Sequence, residues 1–223
     1  MIAFENKPEI GKGIYTLNDV ASILKMPYAK VRRWVRTYWD GKLGKKFQQQ
    51  YSWERDGSVA VSFHTVVELY VMIQFAEKGV KTQDVLIAHQ ELSDILGTPF
   101  PFAQKEVLDE VKTDGKTVYW KFDGAHVSMN GTRQINLDII QVFFKKLEFE
   151  DELVSKLWPM GKDHSIVIDP KRKFGHPIID GRNIYPETLY GYFKAGESIS
   201  FIAYIFEITE KEVKDAIEFC EAA

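Results

Sequence analysis

Apolar residues return every three or four positions from Leu17 to Leu24 and again from Tyr28 to about Tyr38, with Met26-Pro27 between them and Thr16 placed as a cap. That pattern predicts two short helices joined by a tight turn. Beyond Gly41 the spacing changes: Gly44 and Gln48-Gln49-Gln50 lead into alternation through Tyr51, Trp53, Val59, Val61 and Phe63, split by Asp56-Gly57. A hairpin or wing is expected there. Helical spacing resumes at Val66, Leu69, Tyr70, Ile73 and Ala76, where Thr65 and Glu68 suit a capping box and Gly79 a stop. Thr82 suits the cap of a further helix carrying Val85, Ala88, Leu92, Ile95 and Leu96, closed by Gly97 and Thr98-Pro99-Phe100-Pro101.

The second half reads differently. A short helix around Gln104 to Val111 precedes a strand from Thr117 to Phe122, a turn at Asp123-Gly124 and a small β unit ending near Asn130-Gly131. Leu137, Ile140, Phe143 and Phe144 form a helical stripe, Leu147 and Phe149 alternate as in a strand, and Trp158-Pro159-Met160-Gly161 breaks the pattern. A strand at Ser165 to Ile168, a Gly/Pro-rich stretch and three helical runs starting near Pro186, Ser198 and Thr209 follow. The fold class expected is mainly α with small β elements (α+β). It divides into an N-terminal winged helix-turn-helix over 1–100, a central β unit over 101–160 serving linkage or dimerisation, and a C-terminal three-helix, homeodomain-like domain over 161–223.

Composition narrows the function classes. With 45% apolar and 27% charged residues, the 223-residue chain is that of a folded protein. The single cysteine, Cys220, excludes an internal disulfide framework and a multi-cysteine zinc site. No long apolar run exists and Met1 to Ile10 lacks an apolar core, so neither export nor membrane insertion is expected and the location is taken as cytoplasmic. The net charge of -3 conceals an uneven distribution. Tyr28 to Arg55 holds eight cations against Asp40 and Glu54, a local +6 that leaves -9 for the rest. Phosphate attraction follows the local field rather than the total.

The basic island coincides with one of two helix-turn-helix templates. In the first, Val20-Ala21 supplies the apolar-small pair, Met26 the turn hydrophobe, Pro27 the start of the second helix, and Val31 and Trp34 its buried face. Lys25 stands where glycine commonly relieves a left-handed backbone, implying turn strain of roughly 1 kcal/mol. The second template places Ile202-Ala203, Ile208, Thr209, Val213 and Ala216 or Ile217 at the same offsets. Their outward faces differ in sign: Tyr28 to Arg36 sums to +4, and Thr209 to Glu221 to -3. A helix lying between phosphate rails requires the first sign, so the front copy is expected to read double-stranded DNA and the rear copy not. The residues assigned to DNA are Tyr28, Lys30, Arg32, Arg33 and Arg36 on the second helix, with Lys42, Lys45 and Lys46 in the wing. Trp34 is assigned to the core.

At this point two resemblances can be drawn. Tyr15-Thr16-Leu17 through Arg36, the wing and the helix from Val66 to Gly79 resemble the winged helix-turn-helix of MerR-type regulators. Ile166-Val167-Ile168-Asp169-Pro170, Phe174-Gly175-His176-Pro177-Ile178-Ile179, Gly181, Lys194-Ala195-Gly196-Glu197-Ser198, Ile202-Ala203 and Val213 to Ile217 are similar to a small bacterial domain of unknown function (DUF433) found in VapB-type antitoxins. Together they resemble the longer antitoxins of toxin-antitoxin operons. That resemblance implies a homodimer that represses its own operator and neutralises a PIN-domain ribonuclease toxin. Gly181-Arg182-Asn183-Ile184 departs from the family's usual Gly-Thr-Arg-Ile, and the surrounding Gly and Pro residues read as backbone-setting.

Other chemistry finds less support. His164, Asp169, His176 and Asp180 match no metal-site spacing, no phosphate-binding glycine loop or nucleophile elbow occurs, and Cys220 reads as a small buried hydrophobe. No enzyme activity and no cofactor are expected. The alternative is a MerR-like regulator gated by a small ligand, with Tyr119, Trp120 and Phe122 as its pocket. A scaffold without DNA contact is a third class.

Overall fold

The computed structural model describes residues 6–9, 11–77, 79–109, 111–113, 118–122, 125–128 and 145–222. The fold is mixed α+β, helices dominating and the sheets small. A three-stranded antiparallel sheet runs in the order β1 (Ile14–Thr16), β3 (Ser58–Ser62), β2 (Ser52–Arg55), with Tyr15 opposite Val61 and Trp53 opposite Ala60. The β2–β3 turn carries Asp56 and Gly57 at φ 52 and 76, the two positive values that a two-residue hairpin turn demands. Helix α1 (Leu17–Ile23) starts from a full capping box between Thr16 and Asp19, and α2 (Tyr28–Trp34) follows after the predicted turn.

The helix expected to stop near Tyr38 does not. It continues in π register from Val35 to Leu43 and then as α3 (Gly44–Phe47). The reason is tertiary: Trp39 and Leu43 are fully buried, and the wider π turn carries both onto the core side. Gly41 and Gly44 are the residues that allow this, since a Cβ would meet the Arg36 carbonyl oxygen at 2.8 Å and the Gln49 carbonyl oxygen at 2.3 Å respectively. Consequently Lys42, Lys45 and Lys46 lie on a helix, not on the wing, which is the β2–β3 hairpin.

Helix α4 (Phe63–Glu77) is buried along almost its whole length and α5 (Thr82–Leu96) packs beside it. Two expected caps are corrected. Ser62, not Thr65, caps α4, its hydroxyl accepting from the Thr65 N–H at 3.3 Å, and at α5 Lys81 holds the cap position without a side-chain bond. Glu68 is no capping residue because it faces inward: fully buried, it accepts from the Phe102 N–H (2.9 Å) and lies 2.8 Å from His89 Nε2 on α5. Burial pushes its carboxyl above the usual range, with His89 and backbone donors opposing.

After a 3-10 turn at Pro101–Ala103 come α6 (Lys105–Asp109) and a three-stranded antiparallel sheet, β4 (Val111–Thr113), β5 (Val118–Phe122) and β6 (Ala125–Ser128). The side chains of Tyr119, Trp120 and Phe122, and the helical stripe of Leu137 to Phe144, lie outside the described residues. A hairpin of β7 (Leu147–Glu150) and β8 (Leu153–Leu157) packs Leu147, Val154 and Leu157 into the same core as α1, α2, α4 and α5. Strand β8 was not anticipated. Leu157 and Ile168 exchange backbone hydrogen bonds at 3.1 and 2.9 Å, tying this hairpin to the chain's last third.

That last third opens with the two-stranded sheet of β9 (Ile166–Val167) and β10 (Ile178–Ile179), then α7 (Pro186–Lys194), α8 (Ile199–Phe206) and α9 (Glu210–Glu221). Ile166, Ile179, Leu189, Ile202, Val213, Ala216 and Phe219 form its own core. Ser198 caps α8, and Thr209 with Glu212 makes a capping box for α9. Asp215 is buried on α9, yet it accepts from the Ser165 N–H (2.7 Å), the Ser165 hydroxyl (2.8 Å) and Lys211 Nζ (2.7 Å). Burial works to raise its carboxyl, but these bonds hold it below the usual range.

Candidate nucleic-acid interface

The two helical pairs share one turn geometry. In the front pair Lys25 adopts φ 53 and the Met26 N–H reaches the Ala21 carbonyl at 2.9 Å; in the rear pair Glu207 adopts φ 53 and the Ile208 N–H reaches the Ala203 carbonyl at 3.0 Å. Both turns therefore close a helix through a left-handed residue that is not glycine. Beneath them the anchors are buried as the template requires: Val20, Val31 and Trp34 in front, Ile202, Val213 and Ala216 behind.

On the front pair, Tyr28, Ala29, Arg32 and Arg33 are exposed and line a shallow depression with Arg36. Arg32 and Arg33 have no hydrogen bond or ion pair among the described residues, so both guanidiniums are open to a ligand. Lys30 is half-buried, its Nζ 5.1 Å from the Trp34 ring centroid. Trp34 itself belongs to the core.

The other assigned cations have partners. Arg36 pairs with Glu54 on the wing strand β2 at 2.5 Å, which holds the Glu54 carboxyl below its usual range. Lys42 bonds Gln83 (3.2 Å), and Lys46 bonds Asp94 (2.6 Å) and the Gln90 carbonyl (3.0 Å), so both bind the helix to α5. Lys45 remains exposed beside an open groove that it lines with Arg36, Gln48, Gln49 and Gln50. The eight assigned residues thus separate into an open set, Tyr28, Arg32, Arg33 and Lys45, and a set engaged within the fold, Lys30, Arg36, Lys42 and Lys46.

Two contacts fix the front pair against the rear unit. Lys25 Nζ donates to the Phe219 carbonyl at 2.5 Å and stands 3.8 Å from the Phe219 ring centroid; burial pushes its ammonium below its usual value. The Tyr15 ring is buried, and a Cβ on Gly175 would come within 2.0 Å of its hydroxyl. Gly175 has φ 86, as the reading of these glycines as backbone-setting anticipates. Sequence periodicity could not find these contacts, because Lys25 and Phe219 are 194 residues apart. The only local hint was a lysine in a glycine position.

No three His, Cys, Asp or Glu side chains gather as a metal site among the described residues. His164 sits 3.3 Å from Asp163 and 3.8 Å from Glu218, whereas Asp169 turns to the Lys171 N–H at 2.9 Å. Cys220 is half-buried and its thiol is raised to about 11 by burial first and Glu187 second. No helix among the described residues is long and apolar enough to cross a membrane.

Comparison with known proteins matches this geometry at two scales. Residues 166–220 match the family described as Protein of unknown function (DUF433). That span covers β9 to α9, the rear unit. Over an alignment 227 positions long that covers 92% of each chain, the protein is 22% identical to a Mycobacterium tuberculosis protein named "Putative antitoxin VapB45". The crystal structure of Rv2018 from M. tuberculosis superposes with a TM-score of 0.67 at 20% identity, covering 96% of this chain and 100% of that one. The whole arrangement of front and rear units is therefore a fold already seen.

Proposed function

We propose that the chain is a DNA-binding antitoxin that represses its own operon as a homodimer and neutralises a PIN-domain ribonuclease in the cytoplasm. The observation that carries the DNA half is the open pair Arg32 and Arg33 on the second helix of a helix-turn-helix whose turn and anchors are in place. Their guanidiniums can offer bidentate contacts to guanine edges or to phosphate, and Lys45 adds a cation one element further on. The MerR-like character of the front unit belongs to this reading: the β2–β3 hairpin supplies the wing, and Arg36–Glu54 locks that wing to the π segment that continues α2 instead of touching DNA. A single helix of this length buries too little for strong specific binding, which is why a homodimer on two half-sites is part of the proposal. The antitoxin half is supported by the likeness to the VapB-named protein over nine-tenths of the chain.

The test is a gel shift and a fluorescence titration on the DNA upstream of the gene, with Arg32→Ala/Arg33→Ala as the variant. Retention of wild-type affinity and salt slope by that variant would sink the DNA assignment. Co-expression with a PIN-domain ribonuclease, should the neighbouring reading frame encode one, tests the other half, through complex formation and loss of RNA cleavage.

A further inference from the structure

Helix α8 is apolar on two opposite faces. Ile202 and Ala203 face the rear core, while Phe201 (45% exposed), Tyr204 (81%) and Ile205 (43%) point to solvent at i, i+3 and i+4. A helix apolar all round is normally buried all round. Tyr192 of α7 is also exposed, and packs edge-on to Phe206 at 5.3 Å. The adjoining groove is lined by Ser200, Tyr204, Ile205 and Ile208 and by two acids, Glu207 and Glu210, and no Lys or Arg lines it. Lys214 stands 3.8 Å from Glu210 along α9, but Glu207 has no ion pair among the described residues.

We propose that this face docks a partner protein presenting apolar side chains within a ring of Lys and Arg, and, resting on the antitoxin reading above, that this partner is the ribonuclease. The rim decides the choice of occupant. A second copy meeting the same patch about a two-fold axis would set one acidic rim against another, whereas a cationic partner gains from both the apolar stripe and the rim. Nucleases must carry cations to hold a polyanionic substrate, so the charge is of the matching sign. The front α2, whose exposed face is cationic, is unsuited to this role, so the two helical pairs have divided the partners by charge.

The experiment uses the full chain with the PIN-domain ribonuclease that the proposed operon would encode, the Kd being read by calorimetry and the association rate by stopped flow. Phe201→Ser/Tyr204→Ser should weaken nuclease binding by about a hundredfold or more, with thermal midpoint and operator binding unchanged. Glu207→Lys/Glu210→Lys should slow association by about tenfold, an effect that vanishes at high salt. A Phe201→Ser/Tyr204→Ser chain that binds the nuclease within about threefold of wild type overturns the docking site while leaving the antitoxin reading intact. A wild-type dimer that this variant turns into monomers shows a second copy on the face, and overturns it too. A wild-type chain that fails to bind the nuclease removes the antitoxin reading and this occupant with it.

Discussion

The front and rear helical pairs are one backbone device used twice, and the difference between them lies in what their outward surfaces carry. Each closes on a left-handed residue at φ 53 and buries its template anchors. In front, the second helix turns arginines outward and the first helix is folded under β1 and β3. Behind, the second helix shows mixed charge and the first helix shows an apolar stripe. Backbone geometry alone therefore does not assign a DNA reader. The proposal of DNA binding rests on charge at the exposed turn of the second helix, since the major groove is flanked by phosphates.

The comparison can be broken by measurement. Acid titration separates the units most strongly. His64, in the first turn of α4, is lowered to about 4 by burial, opposed by its hydrogen bond to the Val154 backbone and assisted by Lys12. A folded-state value below the unfolded one means stability present above about 6.5 and lost as pH falls toward 4, up to roughly 3 kcal/mol. Glu68, raised by burial, acts in the opposite sense, its contribution being lost as pH rises above its unfolded value. The His64 share is therefore read as the difference between wild type and His64→Phe in denaturant melts from pH 7 to 4. An unchanged pH dependence in that variant would show that His64 is not held neutral by the fold.

Next in size is the charge asymmetry itself. Arg32→Ala/Arg33→Ala should lower operator affinity on the order of a hundredfold and reduce the salt slope by about two, each arginine being worth about 1–3 kcal/mol. A substitution on the acidic rear helix, Glu218→Ala/Glu221→Ala, should leave both unchanged. Equal effects from the two variants would end the distinction between the pairs.

The smallest effects test the seam and the turns. Tyr15→Phe removes a buried hydroxyl that has no hydrogen-bond partner among the described residues, and should be neutral or stabilising by about 1 kcal/mol in chemical denaturation. Glu207→Gly relieves a left-handed residue and should stabilise by about 0.5–1 kcal/mol. Lys25→Gly relieves the same strain but gives up the contact with Phe219, so its net change should fall below that of Glu207→Gly. If the front variant gained as much as the rear, the Lys25–Phe219 contact would contribute nothing to stability.

Most helices were legible because their signals are local. Thr16 with Asp19, Ser198, Thr209 with Glu212, and Gly97 at φ 64 act within one turn of the residues that they cap. The burial of Trp34 was legible for the same reason. The π segment was not: Gly41 and Gly44 look like a stop unless the distant surroundings of Trp39 and Leu43 are known. Glu68 resembled a capping residue because its true partners, His89 and Phe102, are 21 and 34 positions away. Among the candidate DNA contacts, the sequence could count the cations but not subtract those that Glu54, Gln83 and Asp94 had already engaged.

By itself the sequence determined the two helical pairs, their opposite charge and the likeness of the last third to an antitoxin-borne domain. Each depends on residue type at short, fixed offsets, which a linear chain displays directly. Tertiary structure alone decided which cations stay open, where Lys25 lodges and that one face of α8 is left uncovered. These are outcomes of competition among groups far apart in the chain, settled only when burial chooses which of them meet.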